Sequence, residues 1–138
     1  MRPEDVADAY VAAVRAKDVE AFLSLYADDV RTFDLWSVWC YDGKSALRGM
    51  VEEWFGSPDT AAEVGVEFDE VRVEAGGDVA SLSTFLTFRG FDADGNEERS
   101  MNNRLTWVLR KDRGAWKIVH EHTSAPAGDE GKVSLRRA

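Results

Sequence analysis

The two histidines of the chain, His120 and His122, sit two residues apart in the run from Trp116 to Ser124. On an extended strand successive side chains point to opposite faces, so this pair shares one face while Glu121 and Thr123 share the other. Two imidazoles on one face suit a catalytic base or two metal ligands. No third His or Cys follows at ligand spacing and Cys40 is remote, so no metal is expected. A neighbouring run, Asn102 to Val108, places Asn102, Arg104, Thr106 and Val108 together by the same alternation. Arg104 is the residue there able to clamp a carboxylate or an enolate, or to pair with Asp34 or Glu121.

The aromatic residues point to what such groups would act on. Five Trp and seven Phe are more than a small core strictly needs. Trp36, Trp39 and Tyr41 follow directly after Asp34, and Trp54 shares a helical segment with Met50. Leu82, Thr84, Leu86 and Phe88 share one strand face. Gathered at the mouth and wall of one cavity, these side chains favour a flat apolar ligand with one or two polar groups.

The elements that must position these residues follow from periodicity. Pro3 with Glu4 and Asp5 starts a helix over residues 3–17, with Val6, Ala9, Tyr10, Ala13 and Val14 at helical spacing. Asp18 is placed to cap a second helix carrying Phe22, Leu25 and Tyr26 up to Ala27. A short strand is expected over 30–34, a strand or loop over 35–41, and a third helix over 45–55 ending at Gly56-Ser57-Pro58. From Ala62 the period changes to that of strands, over about 64–73, 79–91, 97–110 and 116–124, separated by Gly76-Gly77, by residues 92–95 and by residues 111–114. Helices first and an antiparallel meander afterwards define an α+β domain over 1–126, with the polar segment 127–138 as a solvated tail.

Bulk properties narrow the function classes. A chain of 138 residues suffices for one core without staples. The formal charge of −9 argues against a nucleic-acid partner, which requires clustered Lys and Arg. No apolar run reaches membrane-spanning length, and the single Cys40 excludes an internal disulfide and fits a reducing compartment. A cytoplasmic protein with no membrane partner is expected.

Three passages resemble the nuclear transport factor 2-like superfamily, in particular its SnoaL-like and ketosteroid-isomerase-like branch. They are residues 10–13 through Lys17-Asp18-Val19-Glu20 to Leu25-Tyr26-Ala27-Asp28-Asp29-Val30, the turn into the third helix Tyr41-Asp42-Gly43-Lys44-Ser45-Ala46-Leu47-Arg48, and the strand that carries the histidines. The last also looks like the final strand of the calcium/calmodulin-dependent kinase association domain. The resemblance implies a cone-shaped, strongly curved, mixed or antiparallel sheet packed on three N-terminal helices, of the cystatin-like kind. It also implies that Tyr10 and Asp34 fall where ketosteroid isomerases place a hydrogen-bond donor and a proton-moving aspartate. It further places Arg104, Thr106, Val119, Glu121 and Thr123 in the cone, with Arg104 a second oxygen stabiliser and Glu121 a second acid or the partner of Arg104. Tyr26, Trp36, Trp39, Met50, Trp54, Leu82, Thr84, Leu86 and Phe88 would line the ligand site.

The outer sheet face, with His120, His122, Trp107, Trp116 and Ile118, would form a homodimer contact. The implied activity is proton transfer on a hydrophobic carbonyl compound: isomerisation, aldol-type cyclisation or dehydration, with no cofactor because side chains suffice. A non-catalytic ligand-binding or oligomerisation module, and a hydrolase using Asp34 or Glu121 to activate water, are the alternatives on the same fold.

Overall fold

The structure, a computed structural model, describes residues 1–137. Two helices open the chain, α1 (Asp5–Ala16) and α2 (Val19–Leu23), followed by strand β1 (Tyr26–Phe33). Short β2 (Tyr41–Asp42) leads into α3 (Lys44–Gly56), and the rest is a meander of β3 (Glu63–Gly76), β4 (Val79–Phe91), β5 (Glu97–Asp112) and β6 (Ala115–Ser124). Asp18 caps α2 as its position implied, accepting from the Ala21 amide at 3.0 Å. The second helix is shorter than its apolar spacing suggested. It stops at Leu23, and Tyr26 instead begins β1, in register with Ile118.

The six strands form one sheet in the order β2-β1-β6-β5-β4-β3. β1 runs parallel to β6, and the other neighbours are antiparallel. Register breaks bend the sheet: one in β3 between Asp69 and Arg72, one between Gly90 and Phe91, and one in β6 at Val119. An unpaired residue kinks its strand and increases the local twist, so the sheet curls over the helices. The concave side receives α1 against β3 and α3 against β1. An aromatic cluster fills the space between: the Tyr10 ring lies 5.0 Å from Phe22 and 5.7 Å from both Phe68 and Trp107.

The Val119 break overturns one sequence expectation. Leu109 pairs with Ile118 and Val108 with His120, leaving Val119 without a partner. Strict alternation would put Trp116, Ile118, His120 and His122 on one face. With one residue set aside, Trp116 and Ile118 face the core, as does Trp107, while His120 and His122 remain outside. The outer face therefore lacks the apolar area expected from those three residues. The two histidines pack instead on Phe33, at ring distances of 4.9 and 5.5 Å, and His120 Nδ1 contacts the Arg31 carbonyl oxygen at 2.7 Å.

The segment after β6 is exposed but not free, contrary to a simply solvated tail. β6 ends opposite Arg104, which leaves the first half of β5 with an open edge. An open edge needs partners for its amides, and the tail supplies one: the Asn102 amide donates to the Leu135 carbonyl at 2.7 Å. The Arg137 guanidinium pairs with Glu70 and lies 3.6 Å over the Phe85 ring.

Candidate functional site

A cavity of about 570 Å³ opens between α3, the β1–β2 loop and the concave face of β4, β5 and β6. Its volume is ample for a drug-sized ligand. Tyr10, Asp34, Glu121 and Thr123 line it, as do Trp36, Met50, Trp54 and Phe88. These eight residues are among those that the sequence reading expected in or around one cavity.

Glu121 has the most unusual surroundings of these groups. It is only 5% exposed. Its Oε1 accepts the Tyr26 hydroxyl at 2.7 Å and the Trp107 indole N–H at 2.9 Å. Its other oxygen has no hydrogen-bond partner among the described residues, and the side chain borders the cavity. Burial pushes the Glu121 carboxyl up to about 7, against the two donated hydrogen bonds and with a smaller contribution from the Asp34 charge. A carboxyl poised near neutrality can give or take a proton with little driving force either way.

Asp34 follows β1 and is held by its neighbour on β6. Thr123 Oγ1 accepts the Leu35 amide at 2.9 Å and donates to Asp34 Oδ1 at 3.1 Å. The Trp36 amide adds a longer contact of 3.3 Å to Oδ2. Thr123 thereby fixes the direction of a carboxylate that stays half-buried at the cavity edge. Tyr10, from α1, closes the inner end. Burial first, then the Glu121 and Asp34 charges, hold its hydroxyl well above the ordinary tyrosine range, so it remains a donor. That hydroxyl has no hydrogen-bond partner among the described residues.

Several expected residues lie elsewhere. Arg104 and Thr106 are exposed on the convex face, because they pair with Ser124 and His122, and antiparallel partners share a face. Arg104 Nε donates to Ser124 Oγ at 3.0 Å and makes no pair with Glu121 or Asp34. Trp39 is 95% exposed and is not a wall residue. Leu82 and Leu86 face inward as expected but lie fully in the core, Thr84 spends its hydroxyl on the Asp69 carbonyl, and Tyr26 sits behind Glu121. Val119, expected in the cone, is the unpaired residue of β6 and does not border the cavity.

The sequence reading missed Asn103, Arg99 and Glu53, all of which border the cavity. A signal for Asn103 was present: Leu105, Trp107 and Leu109 alternate with Arg104, Thr106 and Arg110, so the odd-numbered face of β5 is the apolar one. Among the described residues no group of His, Cys, Asp and Glu is arranged to hold a metal ion. No helix is long and apolar enough to cross a membrane.

A curved six-stranded mixed sheet enclosing a cavity against three helices defines the NTF2-like, cystatin-like class of α+β proteins. Within that class the chain belongs to the SnoaL-like domain family, whose model matches residues 4–128. Among solved structures it is similar to an NTF2-like protein of unknown function from Pseudomonas putida KT2440, with 26% identity, a TM-score of 0.85, and coverage of 98% of this chain and 92% of the other. A candidate aromatic ring hydroxylase from Novosphingobium aromaticivorans matches at 22% identity and TM-score 0.73, over 88% of this chain and 84% of its own. A candidate calcium/calmodulin-dependent protein kinase II association domain from Xanthomonas campestris matches at 21% and 0.73, over 88% and 83%. The latter two share the fold alone. No curated protein matches the chain.

Proposed function

We propose that the chain is a cofactor-independent enzyme that moves a proton within a hydrophobic carbonyl compound. The observation that carries this reading is the Glu121 carboxyl. It is buried, anchored through one oxygen by Tyr26 and Trp107, raised to about 7, and placed in the same cavity as Asp34 and Tyr10. Two carboxyls in contrasting environments are what acid–base chemistry at one substrate requires.

Asp34 takes a proton from the carbon beside the carbonyl. The C–H electron pair moves into the carbon–carbon bond and the carbonyl pair onto oxygen, where the Tyr10 hydroxyl donates a hydrogen bond to the developing enolate. Protonated Glu121 supplies the proton that completes the reaction, at a second carbon for isomerisation or at a departing hydroxyl for dehydration, and proton exchange with water then returns Asp34 to the carboxylate and Glu121 to its protonated form. Arg104, exposed on the convex face, has no part in these steps.

The test is exchange of the carbon-bound protons of a bicyclic ketone, 2-tetralone, in deuterated buffer, followed by proton magnetic resonance. The wild-type chain should accelerate exchange, and Asp34→Asn should lower the enzymatic rate by at least about a hundredfold while 2-tetralone still binds. A full rate in Asp34→Asn would remove Asp34 as the base. Binding without any acceleration by the wild type would leave a ligand-binding module on the same fold.

A further inference from the structure

The cavity wall contributed by β5 has a polar pattern that the proposed proton transfer does not use. Asn103 is only 8% exposed and borders the cavity, yet neither its Oδ1 nor its Nδ2 has a hydrogen-bond partner among the described residues, and Oδ1 is fully buried. A buried amide without partners carries a desolvation cost that a ligand hydrogen bond would offset. Four residues earlier on the same face, at the cavity mouth, stands Arg99.

The two arginines at this mouth differ. Arg89 is already neutralised, with Glu67 and Glu97 each at 2.9 Å. Arg99 has no carboxylate partner among the described residues; its one hydrogen bond runs from Nη2 to the Asp59 backbone carbonyl at 2.6 Å. Its side chain crosses Gly90, where an added Cβ would lie 2.8 Å from the Ala61 methyl and 3.3 Å from Arg99 Cγ. Any larger residue at position 90 would displace that guanidinium or Ala61. The arginine is thus seated beside Gly90 and tethered at one nitrogen, and its other guanidinium donors have no partner among the described residues.

Met101 lies between Arg99 and Asn103 on the same face and also borders the cavity. At roughly 3.3 Å per residue, the guanidinium and the amide originate about 13 Å apart along the strand. We infer that the cavity binds an elongated, apolar hydroxy- or oxo-carboxylic acid, its carboxylate on Arg99 and its far oxygen within reach of Asn103. This rests on the small-molecule reading of the cavity and adds the chemical class of its ligand. The acids of the cavity sharpen the orientation. Asp34 and Glu53 both act on Tyr41, whose hydroxyl is raised by burial first and then by these two charges, so the cavity is negative where α3 meets the β1–β2 segment. A ligand carboxylate is repelled there and has Arg99 as its attractive seat.

Calorimetric titration of the full chain with 6-hydroxy-2-naphthoate, its neutral carboxamide, and 2-naphthoate tests this without requiring turnover. The hydroxy acid should bind at least about tenfold more tightly than its amide, a ratio that a single charge-assisted pair can supply. Arg99→Gln should reduce that ratio to about twofold or less while amide binding persists. Asn103→Leu should erase the preference for 6-hydroxy-2-naphthoate over 2-naphthoate, and Arg104→Gln should change neither ratio. Equal affinity of acid and amide for the wild type, an unchanged ratio in Arg99→Gln, or no binding of the acid at millimolar concentration overturns the inference. If the ratios hold while 2-tetralone exchange is not accelerated, the catalytic reading fails and the ligand class stands.

Discussion

The Trp107 indole donates to Glu121 Oε1 at 2.9 Å from directly across the β5–β6 pair, where the two residues are register partners. The pair joins a fully buried core side chain to the cavity carboxyl. Core packing therefore sets the direction in which the acid presents its unpaired oxygen.

Stability should fall with rising pH through this group. The native carboxyl at about 7 lies above its ordinary value of 4.5, so between these values the folded state holds more protons than the unfolded one. The stabilising difference is complete below about 4.5, declines as pH rises and is gone above about 7; its full size is roughly 3 kcal/mol. Urea unfolding between pH 5 and 8 should show this decline in the wild type. It should be largely flat for this contribution in Glu121→Gln, which retains an acceptor for Tyr26 and Trp107.

Tyr26→Phe removes one of the two donors that hold the Glu121 carboxyl down. Its midpoint should move upward from about 7, because the charged form loses a hydrogen bond. Carbon-13 resonance of the labelled carboxyl reads the midpoint directly. An unchanged or lowered midpoint would show that Tyr26 does not support the carboxylate.

Replacing Asn103 by leucine should stabilise the unliganded protein by about 1 kcal/mol, since an unpaired buried amide gives way to an apolar group of similar size. Thermal denaturation should show a midpoint higher by a few degrees. A lower midpoint would mean that the amide is satisfied in the unliganded protein.

Arg137→Ala should cost about 1 kcal/mol or less, through loss of the ring contact with Phe85 and the exposed pair with Glu70. Hydrogen exchange at the Asn102 amide should speed up as the Leu135 carbonyl is released. Exchange at the central β5 amides of Leu105 and Trp107 should stay unchanged.

Legibility in the sequence followed the range over which each signal acts. Asp18 as a helix cap, the breaks at Gly76-Gly77 and after Phe91, and the strand periods depend on neighbours a few residues away, and these were readable. The placement of Tyr10, Asp34 and Glu121 in one cavity was reached through the family resemblance, because the elements that carry them meet only in the closed fold. Arg104 was misplaced although Leu105, Trp107 and Leu109 marked the opposite face as the buried one. Trp116 and Ile118 were misplaced for a different reason: no residue type in that stretch announces an unpaired position, and Val119 resembles any other strand valine. Asn103 was overlooked because an isolated amide carries no chemistry until its lack of partners is visible.

Had β6 continued to pair without interruption beyond Ile118, alternation would have carried His120 and His122 into the cavity and turned Glu121 and Thr123 to the convex side. The strand therefore encodes two rival constellations, an imidazole pair and a carboxyl supported by a hydroxyl. A count of backbone positions decides between them. Val119 makes that selection without bordering the cavity, so the chemical character of the pocket depends on a residue that takes no part in it.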